Sequence, residues 1–270
     1  MQGQRGPTMR VYMWDRCFIM QADSFALSGT AKPHKRLSAT ILVANRKPFL
    51  MQIEGQPVRE YRGVILAPNV SRTLLEADAA ELSLFDAGIT TASYAALQPC
   101  LRRQAVRALG EDDLQGLRSL LSASFAEPMS CPQAHRLFDQ VIAALGGESE
   151  SAVRYDPRVQ RVMRLVEELP LDELSLPRLA AVAEVSESRL RALFQQNLGC
   201  APAQYIRWVN TWKAIRLWEK GMKLTDVAHE MGFHDLAHID HAVKELFGLS
   251  PTAATSGQGV SFHKCQGASD

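Results

Sequence analysis

The chain has 270 residues, 46% of them hydrophobic, and a formal net charge of +1 at pH 7. That length suits one large domain or two ordinary ones, and the hydrophobic fraction excludes a globally disordered chain. The chain lacks the excess of basic residues that would by itself indicate nucleic-acid binding. It also lacks the apolar run of about 18 residues that would predict a transmembrane helix. The polar first residues lack the apolar stretch of a secretory signal.

The five cysteines are widely spaced, at Cys17, Cys100, Cys131, Cys200 and Cys265. Their number is odd and none forms a CxxC pair, which argues against a disulfide framework or a zinc site. We interpret them as small buried residues in a reducing, cytoplasmic setting. A redox-sensing pair is the alternative, but the sequence selects no partners.

The first part of the chain, from about Met9 to Asp86, has the pattern of a β domain. Short apolar stretches predict strands at Cys17–Met20, Thr40–Val43, Phe49–Ile53 and Gly63–Leu66. Turn-forming residues separate them at a spacing of about ten residues, which is typical of a sandwich or barrel. We expect Leu82–Phe85 to form a closing strand.

Beyond Thr91 the pattern predicts helices as far as Leu145. Acids at Glu111–Asp113 suit the positive end of a helix dipole. Apolar residues recur at helical spacing at Leu97, Leu101, Val106, Leu109, Leu114, Leu117, Leu120, Leu121, Leu137, Val141, Ile142 and Leu145. Gly146–Ser151 then combines glycine, serine and charge, which predicts a linker and a domain boundary.

After this linker, Asp156-Pro157 is predicted to cap and start a helix that Pro170 ends. Its apolar face comprises Val159, Val162, Met163, Val166 and Leu169. At the other end of the chain, the tail from Gly257 is polar and small, so we expect it to fray.

Two similar units follow, each with a short helix, a tight turn, a second helix ending at Gly and a Pro three residues later. In the first unit, Leu176 to about Glu184 is predicted as the supporting helix, and Ser186 as the N-cap of the second helix. The core-facing positions of that second helix are Leu190, Leu193 and Phe194. Its outward positions are Glu187, Ser188, Arg189, Arg191, Ala192, Gln195 and Gln196. Arg and Gln form paired hydrogen bonds with guanine and adenine, so this helix is predicted to read DNA bases.

A long helix from about Pro202 to Lys220 joins the two units. Roughly 18 residues at a rise of 1.5 Å make a rod of about 27 Å, close to the ~34 Å that separates successive major-groove positions. In the second unit, Leu224–Met231 is predicted as the supporting helix, with Val227 inward, and Asp235 as the N-cap of the reading helix. The outward positions of that helix are Ala237, His238, Asp240, His241, Lys244 and Glu245.

This C-terminal third resembles the AraC/XylS family of bacterial transcription regulators. The matching signature in the second unit is Ala228, Gly232, Phe233, Phe247, Gly248, Ser250 and Pro251. Its echo in the first unit is Ala183, Ser186, Leu190, Phe194, Gly199, Pro202 and Tyr205. The resemblance implies an all-α domain with two helix-turn-helix motifs that binds promoter DNA and contacts RNA polymerase.

The chain also departs from the family pattern. The family usually has Arg where His241 and Ala192 stand, and Asp240 adds an acid to the outward face. Between Arg154 and Thr255, 13 basic residues face 13 acidic ones, which weakens attraction to phosphates. We therefore expect the first unit to supply most base contacts and the second to touch phosphates. The alternative is a regulatory interaction protein of the same fold with weakened DNA binding.

Three histidines of the second unit, His234, His238 and His241, stand on one helical face and suggest a metal site as an alternative. His234 precedes the helix, however, and His238 and His241 fall where the family contacts DNA. We therefore predict no metal and no cofactor.

The N-terminal strands resemble the cupin-like sensor domains of some family members, from Pro33-His34 to Ile65–Pro68. Such domains commonly carry a His-x-His pair and a further His, but here Arg36 and Arg72 stand in those places beside His34. A metal site of imidazoles needs two or three converging donors, so a metal-dependent cupin enzyme is not expected. Because Arg matches carboxylates, we predict that these three residues bind a small anionic effector. The alternative is that Arg36 and Arg72 are solvated surface residues.

The sequence thus predicts a two-domain α+β protein: an N-terminal cupin-like β-barrel or sandwich with flanking helices, and a C-terminal all-α domain with two helix-turn-helix motifs. The expected parts are residues 1–90 (sensor region), 91–146 (helical linker or dimerisation region), 147–157 (linker) and 158–256 (DNA-binding domain).

The predicted function is that of a cytoplasmic, non-enzymatic, sequence-specific transcription regulator that responds to a ligand. The predicted DNA contacts are Ser188, Arg189, Arg191, Gln195, Gln196, His238, Asp240, His241 and Lys244. The expected partners are double-stranded promoter DNA, RNA polymerase, a small anionic effector and a second copy of the chain, with no membrane. The family resemblance implies pairing of two chains through the helices after Thr91; packing of those helices against the barrel is the alternative.

Overall fold

A computed structural model of the chain describes residues 9–23, 33–146, 154–219, 226–227, 230 and 260–265. The chain divides into two compact units, Met1–Ala152 with Thr252–Asp270, and Val153–Pro251. The first unit therefore takes its residues from both ends of the sequence. No helix in the described ranges is long and apolar enough to cross a membrane.

The first unit is built on two sheets. Its described strands are β1 Met9–Trp14, β2 Cys17–Ala22, β3 Ser38–Ala44, β4 Phe49–Ile53, β5 Arg59–Tyr61, β6 Gly63–Leu66, β7 Arg72–Glu76, β8 Leu82–Gly88, β9 Val106–Ala108 and β10 Val260–Lys264. The larger sheet has the order β10-β1-β2-β8-β3-β6-β9, and the smaller has the order β5-β4-β7. The predicted β domain with flanking helices is confirmed.

The centre of the larger sheet explains the apolar runs in the sequence. Every residue of β2, β3 and β8 is buried, because these strands are covered on both faces. In β4, by contrast, buried Phe49, Met51 and Ile53 alternate with more exposed residues. The stretch expected to close the sheet, Leu82–Phe85, lies instead at its centre, where β8 pairs with both β2 and β3.

Three helices pack with the larger sheet in one apolar core: α1 Ala92–Arg103, α2 Glu111–Ala126 and α3 Cys131–Gly146. Thr91 caps α1 by accepting a hydrogen bond from the Tyr94 amide at 3.2 Å. The residues of the core include Ile19, Ile41, Ile65, Phe85, Leu97, Leu114, Leu117, Leu121, Leu137, Phe138, Val141 and Leu145. The leucine faces of these helices are thus buried within the chain. This agrees with the alternative that these helices pack against the β domain.

Two predictions for this unit are wrong. Residues Val106–Ala108 form β9 and pair with β6, although their spacing matched a helix. Residues Val260–Lys264, expected to fray, form β10 and pair in parallel with β1. Both errors have one cause, since the partner strand lies more than 40 residues away in sequence for β9 and about 250 for β10, beyond any local pattern. In addition, Cys131 and Cys265 are joined by a disulfide that the cysteine spacing did not indicate.

The second unit is helical over its described residues. It contains α4 Pro157–Glu168, a 3-10 turn at Leu171–Glu173, α5 Leu176–Val182, α6 Glu187–Leu198 and α7 Pro202–Glu219. Two of the predicted N-caps are confirmed: Asp156 accepts from the Arg158 amide at 2.9 Å and Ser186 from the Arg189 amide at 3.3 Å. The third, Asp235, lies outside the described residues. The far end of α4 is closed by Lys213 Nζ, which donates to the carbonyl oxygens of Val166 and Leu169 at 2.7 and 2.9 Å.

Candidate nucleic-acid interface

The tight turn between α5 and α6 sets the direction of the second helix. The Val185 amide donates to the Ala180 carbonyl and the Glu184 amide to the Ala181 carbonyl, both at 3.0 Å. This is a Schellman motif, which requires a left-handed residue after the last helical turn. Glu184 takes that position with φ of 54°, where glycine would be unstrained.

Helix α6 presents a polar face to solvent and an apolar face to its neighbours. Its buried positions are Leu190, Leu193, Phe194 and Leu198. The side chains of Ser188, Arg189, Arg191, Gln195 and Gln196 are all exposed, and we call these five residues the reading face. At about 100° per residue they span roughly 160° of the helix and about 12 Å of its length. This face is continuous and long enough for a helix that enters a DNA major groove.

Two arginines supply the positive charge of the reading face. Arg191 Nη2 lies 3.4 Å from Glu187 Oε2, and 56% of the Arg191 side chain is exposed. Among the described residues, no acceptor forms a hydrogen bond with the Arg189 guanidinium. The positive charge of Arg189 helps to lower the pKa of Asp156. An exposed helical ion pair contributes only about 0.3–0.5 kcal/mol, so Arg191 can leave Glu187 for a DNA base at small cost.

Helix α6 is held against its neighbours from its apolar face. Phe194 meets the Tyr205 ring of α7 edge-on, with ring centroids 5.8 Å apart. Asn197 Oδ1 accepts from the Asp156 amide at 2.8 Å, and Asn197 Nδ2 donates to the Leu193 carbonyl at 2.8 Å. The start of α4 is thereby fixed to the end of α6, which keeps the reading face on a rigid frame.

A charged pair stands next to this junction. Arg158 donates to both Asp156 carboxylate oxygens at 3.0 and 2.7 Å. Those hydrogen bonds lower the pKa of Asp156 from 3.8 to about 2, so the N-cap of α4 stays ionised at neutral pH. Sequence analysis identified Asp156 as a cap, but not its bidentate partner.

The second half of the predicted interface lies almost entirely outside the described residues. This applies to His238, Asp240, His241 and Lys244, and to the histidine face considered for a metal. Of the predicted supporting helix, Asp226, Val227 and Glu230 are helical. Val227 is fully buried, as its predicted inward position requires.

In the first unit, the structure brings the three predicted effector residues together. His34 and Arg72 exchange two backbone hydrogen bonds of 3.1 Å, and Arg36 and Arg72 are 96% and 97% buried. The alternative of solvated surface arginines is therefore wrong. Arg36 Nη1 donates to Asp86 Oδ2 at 3.1 Å, and Arg72 Nη2 donates to Thr40 Oγ1 at 3.0 Å.

Asp86 and Thr40 complete this cluster, and sequence analysis missed both. Thr40 Oγ1 donates to Asp86 Oδ2 at 3.0 Å, which links the two arginines through one carboxylate. Burial, and then the charge of Arg36, lower the pKa of Arg72 to about 9, which leaves it charged at neutral pH. The cluster therefore holds two cations and one anion. The signal in the sequence was Asp86 itself, a charged residue directly after an apolar strand stretch.

The described residues contain no group of three or more potential metal ligands. Arg36 Nε and Asp86 Oδ1 are buried without a hydrogen-bond partner among the described residues. The polar centre of the β domain thus has donors and acceptors left over, but none of the imidazole clusters that hold a transition metal.

The helical part of the chain is similar to known helix-turn-helix proteins. A family model described as a helix-turn-helix domain matches residues 179–256. The chain is 30% identical over 103 residues to the HTH-type transcriptional regulator GbdR of Pseudomonas aeruginosa, covering 38% of this chain and 28% of that protein. It is also 30% identical over 97 residues to an AraC-like transcription regulator of Streptomyces antibioticus, covering 36% and 32%. The chain thus spans about a third of the length of these curated relatives.

Over most of its length, the fold of the chain is similar to that of ToxT from Vibrio cholerae. The apo form of a ToxT variant superposes with a TM-score of 0.57 at 10% identity, covering 88% of this chain and 96% of that one. The unsaturated fatty acid-bound form of ToxT superposes with a TM-score of 0.52 at 12% identity, covering 94% and 96%. At this level of identity the likeness concerns the fold alone.

Proposed function

We propose that this protein is a sequence-specific transcription regulator of the AraC type that binds promoter DNA, because residues 179–256 match a helix-turn-helix family model and the chain is similar to an AraC-like regulator. The observation that carries the proposal is the reading face of α6, where two arginines and two glutamines stand exposed on a helix fixed from behind. Arg and Gln are the side chains that pair with guanine and adenine edges. The predicted DNA contacts of the second helix-turn-helix motif, His238, Asp240, His241 and Lys244, are part of the same proposal.

The rival function is that of an interaction protein with the same fold and weakened DNA binding. The zero net charge between Arg154 and Thr255 favours it. The salt dependence of binding separates the two, because each phosphate contact adds about 0.9 to the slope of log K against log salt. We expect a slope of several units for the regulator and none for the interaction protein.

The experiment starts with selection of bound fragments from random DNA by the full chain, followed by footprinting of the selected site. We expect protection of two neighbouring groove segments and loss of protection with the double variant Arg189→Ala, Arg191→Ala. The matched control is Arg118→Ala, which removes a half-buried arginine of the β unit that is paired with Glu111. If the full chain protects no fragment even in dilute buffer, the proposal is wrong.

A small anionic effector is the second part of the proposal. The observation that favours it is the excess positive charge of Arg36 and Arg72 over Asp86 in the β domain, together with the unpaired Arg36 Nε. Arginine is suited to carboxylates, and a structure of the fold relative ToxT has an unsaturated fatty acid bound. A carboxylate on an apolar chain is therefore the effector class that we test first.

Calorimetry with oleate and with its methyl ester tests this class directly. We expect the acid to bind and the ester, which lacks the charge, to bind at least about 10-fold more weakly, since a charged hydrogen-bonded contact contributes about 1.5–3 kcal/mol. Equal binding of acid and ester, or binding of neutral ligands only, would exclude the anion.

Three further features belong to the proposal. We infer a cytoplasmic protein without enzymatic activity, which contacts RNA polymerase from its DNA site. We also propose that two copies pair, although the leucine faces of α2 and α3 are occupied within the chain. Sedimentation at high concentration tests this, and a strict monomer would rule pairing out.

A further inference from the structure

The C-terminal strand is attached to the first unit in two ways. Residues Val260–Lys264 pair in parallel with β1 in a register that sets Met9 opposite Val260 and Met13 opposite Lys264. Directly after the strand, the Cys265 amide donates to the Met13 carbonyl at 2.9 Å, and Cys265 is joined to Cys131 at the start of α3. The tail is thus held by backbone pairing and by one covalent bond.

The backbone pairing of β10 with β1 stabilises the tail only weakly. Strand β10 lies at the edge of the sheet, and none of its five residues is fully buried. His263 of this strand stacks on Tyr12, with ring centroids 4.6 Å apart. A parallel edge strand with little buried surface is a marginal element, so the Cys131–Cys265 bond decides whether the strand stays.

The other cysteines are poor candidates for oxidation. Burial raises the pKa of Cys17 and of Cys200 to about 12, and burial also raises the pKa of Cys100. Because the thiolate is the reactive form, these three thiols react slowly with oxidants. Cys131, at the first residue of a long helix and partly exposed, faces Cys265 with Cα atoms 5.2 Å apart, a spacing that suits a disulfide.

We propose that Cys131 and Cys265 form a reversible oxidation site for hydroperoxides, and that its oxidation locks the C-terminal strand onto the edge of the larger sheet. The Cys131 thiol attacks the peroxide oxygen, becomes a sulfenic acid and releases water or an alcohol. The Cys265 thiol then attacks that sulfur, which forms the disulfide and releases a second molecule, of water. Two thiols lose two electrons and two protons, and the peroxide gains them.

Reduction reverses the change by thiol–disulfide exchange with a dithiol, which ends as a disulfide itself. In a reducing compartment, where the proposed function sets this protein, disulfides are commonly transient and redox-sensing. The sequence left open which cysteines form such a pair, and the structure assigns Cys131 and Cys265.

The test compares the full chain after reduction and after treatment with hydrogen peroxide. We expect alkylation to count five thiols in the reduced chain and three in the oxidised chain, with a peptide map that links residues 131 and 265. Hydrogen exchange at the amides of Met9–Trp14 and Val260–Lys264 should be at least about 10-fold faster after reduction. The melting temperature should rise by about 5 °C or more on oxidation, because the bond closes a loop of more than 100 residues.

Two variants and a control complete the experiment. Cys265→Ser and Cys131→Ser should each behave as the reduced parent under both conditions, whereas Cys100→Ser, which changes a thiol outside the pair, should respond as the parent does. The second variant keeps the strand sequence intact, so it covers a loss of folding by the first. The proposal is overturned if peroxide leaves five thiols, if it links other cysteines, or if the exchange of β1 and β10 is the same in both states.

Discussion

The two units of this chain use charge in opposite ways. In the helical unit, the arginines of the reading face are exposed, and Arg191 is held only by an exposed ion pair. In the β unit, Arg36, Arg72 and Asp86 are at least 96% buried; Arg36 is hydrogen-bonded to Asp86 directly, and Arg72 is connected to it through Thr40. Exposed arginines are available to an outside partner, whereas buried ones need a carboxylate from the fold or a small bound anion. The same residue type is therefore placed for an outside partner in one unit, and for an internal carboxylate and a small bound anion in the other.

The largest effect is expected where that buried charge is broken. Asp86→Ala leaves Arg36 and Arg72 buried without their carboxylate, which should destabilise the β unit by about 3–5 kcal/mol. Urea unfolding followed by amide exchange measures this unit separately from the helical one. The control is Glu54→Ala, which removes the exposed partner of Lys35 and should cost about 1 kcal/mol or less. Similar losses in both variants would contradict the buried network.

What the sequence predicted follows the same division between the units. The helical unit is specified by local signals: Asp156, Ser186 and Gly199 mark ends of helices, and their partners lie within four residues. The helices of its described part and the exposure of its reading face could therefore be predicted from the sequence. What could not be read is Asn197 holding Asp156, a contact that depends on the packing of α4 against α6.

The β unit is specified by distant pairings, and there sequence analysis was incomplete. Five apolar stretches were recognisable as strands, but their order was not, because β8 pairs with strands some 40 to 70 residues away. The link of Arg36 to Asp86 spans 50 residues, and the Cys131–Cys265 bond spans 134. No local period carries such information, so the polar centre and the tail strand emerge only from the structure.

A second prediction concerns the reading face directly. Arg189→Ala and Arg191→Ala should each weaken binding to the selected site by about 5- to 150-fold, or about 1–3 kcal/mol, and should relax base preference. If the second helix-turn-helix motif contacts phosphates, Lys244→Ala should weaken binding to all DNA sequences evenly. Quantitative binding to a library of single-base changes measures both effects. If the arginine variants and Lys244→Ala lose the same affinity with the same change in base preference, the division of roles between the two helix-turn-helix motifs is wrong.

The proposed oxidation site lies within the first unit and predicts a smaller effect on DNA binding. In the oxidised chain, residues 153–251 lie between two attachments to the first unit, because the tail is locked there. We expect this restraint at both ends of the helical unit to lower the apparent affinity for DNA about 3- to 10-fold on oxidation. Binding of the reduced and oxidised chain to the selected site tests this, with Cys265→Ser as the insensitive control.

The outcomes of that measurement separate three ideas. Absence of DNA binding in both states would reject the proposed function and leave the oxidation site intact. Equal affinity in both states would show that a locked tail does not restrict the DNA-binding domain. A response that persists in Cys265→Ser would assign the effect to another thiol.

The smallest effect is expected at two left-handed residues of the helical unit. Gly199 ends α6 with φ of 66°, and Glu184 follows α5 with φ of 54°. Gly199→Ala should destabilise the unit by about 1 kcal/mol, because a Cβ is strained there, and Glu184→Gly should stabilise it by about 0.5–1 kcal/mol by removing the same strain. Glu184→Ala is the matched control: it removes the carboxylate, whose contact with Arg161 is 3.9 Å long and exposed, but keeps the Cβ. A gain in the free energy of unfolding for alanine as large as for glycine would assign the effect to charge, not to the backbone.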